Sequence, residues 1–360
     1  MTGPLHRARQ WLGVLTRDWP RWRRALASPG RDYLALCNRA ERLEPAPDGS
    51  GYRCLWPWTS DLHAPKLMPG LGRTLMSRSL ADHPLRRAGS LPAAAAAPEL
   101  TFLIGHRGME RLPLLLATLE SIAGQEGASV DCVVVEQDEH ARIAPHLPPW
   151  VRHVHTPPPH PGMAYCRSWA FNVGARQGGA PVVVLHDNDM LVPSDYAASI
   201  LALTRQGHEV VNLKRFIFYL DEGHTRAVLA GTAALTAHAP QAIVQNLEAG
   251  GSVAITREAF ARIGGMDESF IGWGGEDNEF WERAQALRVW PWAHLPIVHL
   301  WHAAQPGKLA GSNQALAHYR DRTLIPVAQR IEQLRHAPSG EMAGPAMSRP
   351  SRPATGSTGH

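Results

Sequence analysis

The chain has 360 residues, 44% of them hydrophobic and 19% charged, with a formal net charge of +4; that length supports a sizeable core and one to three domains. Much of the positive excess sits in Arg-rich ends such as Arg21-Trp22-Arg23-Arg24, and no dense basic face with aromatic stacking motifs occurs, so no nucleic-acid partner is expected. Trp11–Leu15 is too short for a secretory core and Ala93–Ala97 is neither long nor apolar enough to span a bilayer. The four cysteines, Cys37, Cys54, Cys132 and Cys166, show no Cys-x-x-Cys spacing, which fits a reducing cytoplasm.

Residues 1–96 read as an accessory region ending in a linker at Ser90-Leu91-Pro92 and the alanine run. The piece Ala8–Leu26, interrupted by Pro20, mixes Arg with Trp and Leu. It suits either a helical cap packed on the rest of the chain or a membrane-surface helix. Leu100–Ile104 then reads as a strand ending in Gly105-His106-Arg107, followed by apolar residues at helical spacing over Leu112–Ile122. Asp131–Val135 is a second strand, ending in Glu136-Gln137-Asp138. Strand, helix, strand implies a right-handed crossover and a parallel sheet. His140–Pro161 holds five histidines without ligand spacing and reads as a surface loop.

Pro181–Leu185 is short and β-branched, as a buried parallel strand is, and runs into His186-Asp187-Asn188-Asp189. Ligands of open α/β sheets bind outside the carboxyl ends of strands. If the strand continues, Asp187 and Asp189 point the same way and can clamp a hard cation that also takes phosphate oxygens. A solvated strand-end turn would have the same letters. Further on, Gly250-Gly251 opens a short strand, and Gly272-Trp273-Gly274-Gly275-Glu276-Asp277 precedes a helical run at Phe280–Ala284. Glu276 and Asp277 thus fall in a helix's first turn, where the macrodipole favours their charged forms, although acids are also common there as plain helix starters. Val298-His299-Leu300-Trp301-His302 closes this part; His299 suits either a ligand or a core position among Trp290, Trp292 and Trp301. A helix is expected over Ser312–His336, and 338–360, rich in Pro, Gly and Ser, is expected to be disordered.

Gly250 to Trp281 resembles the C-terminal signature of the β-1,4-galactosyltransferases and their relatives among polypeptide N-acetylgalactosaminyltransferases and bacterial chondroitin-type polymerases. Tyr165-Cys166-Arg167 with Asn172-Val173-Gly174 and Asp187-Asn188-Asp189 is similar to earlier segments of that family, in the same order, so the likeness spans roughly residues 98–305. It implies an α/β fold of the GT-A type, family 2-like: a Rossmann-like, mainly parallel mixed sheet flanked by helices, with an N-terminal helical appendage. The implied division is 97–305 as catalytic domain, with 97–190 binding nucleotide and 191–305 binding acceptor, then a helix over 306–337.

The resemblance also implies roles. Asp189 would bind the metal, with His302 and His299 in the places where galactosyltransferases carry a His and a Met. Asp187 would fix the ribose or a metal-bound water. Arg167 would face the nucleotide or its diphosphate, with Arg107, Glu136 and Tyr165 also on the donor side. Asp277 would be the general base, and Glu276, Trp273, Gly274 and Gly275 would shape the acceptor site. Imidazole ligands suit Mn²⁺ better than Mg²⁺. The implied reaction is inverting transfer of galactose, N-acetylgalactosamine or glucose from a UDP-sugar to a glycan or lipid-linked saccharide. It points to a cytoplasmic enzyme docking at the inner membrane face. A non-catalytic sugar- or nucleotide-binding relative and a UDP-sugar hydrolase are the competing readings.

Overall fold

The computed structural model describes residues 11–91, 97–304, 314–337 and 339. In the N-terminal region lie α1 (Trp19–Ala27), the strands β1 (Leu43–Pro45), β2 (Tyr52–Cys54) and β3 (Ser60–Asp61), then α2 (His63–Leu67) and α3 (Pro69–Asp82). From there the chain runs β4 (Leu100–His106), α4 (Leu112–Ala123), β5 (Val130–Glu136), β6 (Arg152–His155), α5 (Arg167–Gln177), β7 (Val182–His186) and β8 (Met190–Leu191). It continues through α6 (Tyr196–Arg205), β9 (Val210–Val211), β10 (Lys214–Tyr219), α7 (Glu222–Leu229), β11 (Ala242–Gln245), β12 (Ser252–Thr256) and α8 (Arg257–Arg262). Last come α9 (Glu276–Ala284), β13 (Val289–Trp290), β14 (Leu295–His299), α10 (Gln314–Thr323) and α11 (Val327–His336).

The fold is mixed α/β, built on two main sheets where one was expected. A seven-stranded sheet has the order β13-β9-β12-β7-β4-β5-β6, parallel from β7 to β6, with β12 antiparallel beside β7. The order of the five-stranded sheet is β3-β11-β10-β14-β8. Alternation along β7 sends Val182 and Val184 to one face, with Phe102, Leu115 and Ile200, and Val183 and Leu185 to the other, with Phe171, Phe260 and Phe280. Burial on both faces is why these strands are unbroken apolar runs. The third cluster joins Phe216, Phe218 and Val298 of the second sheet to Trp22, Leu26, Leu75 and Met76 of the N-terminal region. Each such phenylalanine is worth ~1.5–3 kcal/mol by burial.

Residues 8–10 of Ala8–Leu26 lie outside the described residues. From residue 11 on, the N-terminal region packs on the second sheet, and it is not purely helical: β3 pairs with β11 and extends that sheet. Buried Arg215 fastens it, donating from Nε to Leu34 O (2.8 Å), from Nη2 to Leu36 O (2.7 Å) and from Nη1 to Gln245 Oε1 (2.7 Å). Pro20 does not break the helical run over residues 11–27: a π-helical turn, Val14–Asp18, leads directly into α1, and Pro20 follows that change of helical pitch. Two expectations need correction. Within His140–Pro161 lies an edge strand, β6, parallel to β5; with Val154 as its one aliphatic side chain, it carries too little alternation to be read. The expected helix over Ser312–His336 is two helices, α10 and α11, parted at Pro326, which cannot continue α10 and starts α11 instead. Residues 312 and 313, the linker at 92–96 and, Ser339 apart, the tail 338–360 lie outside the described residues.

Candidate active site

The acids of the Asp187-Asn188-Asp189 turn stand where the chain leaves one sheet for the other. β7 ends at His186, and β8, starting one residue after Asp189, pairs with β14 of the second sheet. The strand does not continue through the turn, so the two aspartates are not simply side by side. Asp187 N–H donates to Gly251 O (2.8 Å), Asn188 Nδ2 donates to His106 Nδ1 (2.9 Å), and Asp189 O accepts from Leu300 N–H (2.9 Å). That last bond seats Asp189 against the end of β14, which carries His299 and, three residues on, His302.

Three side chains converge there. Asp189 Oδ2 lies 3.1 Å from His302 Nε2 and Oδ1 lies 3.8 Å from His299 Nε2, and one ligand atom from each residue falls within 4.8 Å of the others. Burial alone would raise the Asp189 pKa, but the hydrogen bond from His302 and the charges of His299, His302 and Arg111 outweigh it and hold the pKa at about 2. Burial pushes His299 below its ordinary value, toward the neutral imidazole that ligates metals. Its ring stacks on Tyr219, centroids 4.2 Å apart, and its buried Nδ1 has no hydrogen-bond partner among the described residues. An ionised carboxylate with two imidazole edges aimed at it is a donor set that fits a divalent transition metal.

The other end is built on glycine. Gly272, Gly274 and Gly275 have φ of 89°, 113° and 92°, and a Cβ on Gly275 would lie 2.7 Å from Tyr319 Cβ. This left-handed turn reverses the chain into α9 and delivers Glu276 and Asp277 to the cleft. Its first glycine donates from N–H to Tyr165 O (2.9 Å), and Gly274 N–H donates to Glu276 Oε2 (3.1 Å). Behind it, buried Arg283 donates to Oε1 (2.8 Å) and Oε2 (2.7 Å) of Glu279 and to the carbonyls of Ile263 and Gly265 (2.6 and 2.7 Å), so α9 is rigidly placed.

Arg167, at the start of α5, ties the two ends together. It donates from Nε (2.9 Å) and Nη2 (2.7 Å) to Asp187 Oδ1, and from Nη1 to Asp277 Oδ1. The remaining oxygen of Asp277, Oδ2, faces Gly250, where a Cβ would come within 3.0 Å; glycine keeps that oxygen accessible. The helix-start argument for fully charged acids is corrected here. Burial, with the neighbouring Asp277 charge, pushes Glu276 up to about 7. Asp277 is raised as well, by burial first and by Asp187, against the pull of Arg167 and Lys214. Desolvation and like charge outweigh a macrodipole worth less than ~1 kcal/mol. Lys214, buried nearby, is itself lowered to about 7 by burial. Its Nζ donates to Asn212 Oδ1 (2.8 Å) and to Ser252 O.

Both ends line one cleft of about 620 Å³, together with Arg107, Arg111, Tyr165, Arg167, Asp187 and Trp273. Trp273 stands at 38% exposure. Arg107 lines the wall while latching two loops through Gln137 O (2.5 Å) and Met163 O (2.7 Å). Glu136 does not face the cleft. Its Oε1 accepts from the N–H groups of Arg142 (2.8 Å) and Ile143 (3.2 Å), and its Oε2 meets His153 Nε2 (2.8 Å), so it anchors the loop after β5. Arg111 and Lys214 were missed. The charged pair Lys214-Arg215 inside the otherwise largely apolar stretch Val210–Leu220 was a readable signal; Arg111, at a helix start, gave none.

Residues 244–290 match the family model described as the N-terminal domain of galactosyltransferase. No curated protein matches the chain. Among solved structures, the catalytic domain of Drosophila β1,4-galactosyltransferase 7 in complex with xylobiose is 16% identical, covering 61% of this chain and 79% of that one, with a TM-score of 0.37. Mannosyltransferase PcManGT from Pyrobaculum calidifontis, in complex with GDP-Man and Mn²⁺, is 16% identical over 77% of this chain and 74% of its own, with a TM-score of 0.39. The matched stretch carries β12, the glycine turn, Glu276 and Asp277, and over it the chain is similar to galactosyltransferases.

Proposed function

We propose that the protein is a metal-dependent, inverting glycosyltransferase that moves a hexose of the galactose, N-acetylgalactosamine or glucose type from a UDP-sugar to a hydroxyl of a glycan or glycolipid. The observation that carries this reading is the pairing, in one cleft, of a cation-ready cluster at Asp189, His299 and His302 with a carboxyl pair of raised pKa at Glu276 and Asp277. In this reading 97–305 is the catalytic domain, with donor contacts mainly from 97–190 and acceptor contacts from 191–305. Residues 11–91 are an accessory cap and 314–337 a helical extension. Among the described residues no helix is long and apolar enough to cross a membrane. A cytoplasmic enzyme touching the inner membrane face belongs to the same reading, with exposed Trp11, Leu12 and Leu15 as the apolar side chains available for contact.

A sugar hydroxyl has a pKa far above neutrality, so a proton acceptor is needed as its oxygen attacks. Asp277 takes that proton at Oδ2 while the oxygen bonds to the anomeric carbon. The bond from that carbon to the diphosphate breaks, and UDP departs with the electron pair. Asp189, His299 and His302 would hold Mn²⁺, which when bound neutralises the charge developing on the diphosphate. Arg167 fixes Asp277 relative to Asp187, so proton acceptor and donor site keep one geometry. One displacement, with the acceptor entering opposite the nucleotide, inverts the anomeric centre.

The test is release of UDP from a panel of UDP-sugars with Mn²⁺, with and without candidate saccharide acceptors. Release that depends on acceptor is the expected result. Release without acceptor indicates hydrolysis, and binding without release indicates a non-catalytic relative.

A further inference from the structure

One cation in the cleft is placed where the proposed metal would need room. Arg111 precedes α4, and its backbone is fixed because its carbonyl accepts from Leu114 N–H (3.1 Å) and Leu115 N–H (3.0 Å). Its long, partly exposed side chain reaches into the cluster: Nη1 lies 3.4 Å from Asp189 Oδ2 and Nη2 lies 2.8 Å from His302 Nδ1. A guanidinium only donates, so His302 Nδ1 must accept in this contact. The ring proton is then on Nε2, the edge 3.1 Å from Asp189.

The same Nδ1 lies 2.8 Å from Ala303 O, which only accepts. The two neighbours demand opposite tautomers. Paired with Arg111, His302 turns an N–H toward Asp189 and offers no lone pair there. Paired with Ala303 O, it carries its proton on Nδ1 and presents a bare Nε2, the form in which a carbonyl orients a ligating histidine. Ligation through Nε2 and the Arg111 contact therefore exclude each other. Charge adds to this, since a guanidinium and a divalent ion a few ångströms apart on one carboxylate repel.

Arg111 also has somewhere to go. It lines both the main cleft and a neighbouring one of about 530 Å³ bounded by Leu114, Leu229, Trp301 and His302. Resting on the metal-dependent transferase reading above, we propose that Arg111 is a built-in counter-cation. It holds Asp189 and His302 in the metal-free protein, yields its place when the metal binds, and then donates to the diphosphate of the nucleotide-sugar. A planar fork of donors suits a diphosphate, so the displaced group becomes a donor-binding one.

The experiment titrates metal-free full-length protein with Mn²⁺, following free Mn²⁺ by electron paramagnetic resonance without nucleotide, and then measures UDP binding at saturating Mn²⁺. Arg111→Gln removes the competitor, so Mn²⁺ should bind at least about threefold tighter, and UDP at least about threefold weaker. A residue that merely props up the site would weaken both. Unchanged or weaker Mn²⁺ binding in Arg111→Gln overturns the proposal while leaving the metal site standing. Tighter Mn²⁺ with unchanged UDP affinity overturns the transfer to diphosphate. If wild type binds no Mn²⁺, or Asp189→Asn binds as wild type does, the metal reading itself fails and this proposal with it. Should Arg111→Gln not fold, Arg111→Lys serves: a point charge cannot bridge both groups, so Mn²⁺ should again bind tighter and UDP weaker, each by less.

Discussion

Two ends of one cleft treat the same chemical group in opposite ways. Asp189 is as buried as any acid in the site, yet two imidazoles and a guanidinium hold its pKa at about 2. Glu276 and Asp277 have one strong cation between them, Arg167, which is shared with Asp187; burial and neighbouring carboxylates, Asp277 for Glu276 and Asp187 for Asp277, win, and their pKa values rise. A carboxylate surrounded by positive charge stays ionised and can exchange those partners for a metal. One made more basic by burial and neighbouring carboxylates can take a proton from an alcohol and give it up again. The difference in neighbours, more than in residue type, assigns the two roles.

Breaking the proton-accepting end alone has the largest expected effect. Asp277→Asn keeps size and a hydrogen bond to Arg167 but accepts no proton, so transfer should fall by about 10²–10⁴. Mn²⁺-dependent UDP binding, measured by calorimetry, should remain close to wild type. Loss of both together would mean that the two ends are not separable.

That separability was partly legible before any coordinates. The acids at the end of Val182–His186, the glycine turn before Asp277 and the His299/His302 pair lie in segments with strong local signatures: a β-branched run, three positive-φ glycines, a fixed three-residue spacing. The frame was less legible. The second sheet draws two-residue strands, Ser60–Asp61 and Met190–Leu191, from distant parts of the chain, and so short a strand leaves no period to detect. The partners of the acids were least legible of all. Arg167 reaching Asp277 spans 110 positions, and Arg111 reaching His302 spans 191. Glu136 shows the converse, an acid at a strand end whose lone pairs are used by the loop that follows it. Such pairings follow from packing, which no local pattern encodes.

Weakening the metal end should cost less than removing the base, because two ligands remain. His302→Ala leaves Asp189 and His299 in place and should raise the Mn²⁺ concentration for half-maximal activity by about 10–100-fold, with the rate at saturating Mn²⁺ largely restored. An unchanged Mn²⁺ titration would remove His302 from the ligand set and leave the contrast between the two ends resting on Asp189 alone.

The smallest change sharpens the contrast by pH. In wild type Glu276 ionises beside Asp277 as pH rises through about 7 and adds a like charge that makes Asp277 a stronger base, so kcat/KM should show a rising limb there. Glu276→Gln removes the group that ionises there, so that limb should be lost from the kcat/KM profile. Stability gives an independent reading of the same group. Between its ordinary 4.5 and about 7, Glu276 holds in the folded protein a proton that the unfolded chain releases. Its contribution is therefore present below that window and is lost as pH climbs through it. Urea unfolding at pH 5 and pH 7.5 should show that loss in wild type and a smaller one in Glu276→Gln. A limb and a stability slope that both stay put would place Glu276 outside the proton-holding pair and leave Asp277 to titrate alone.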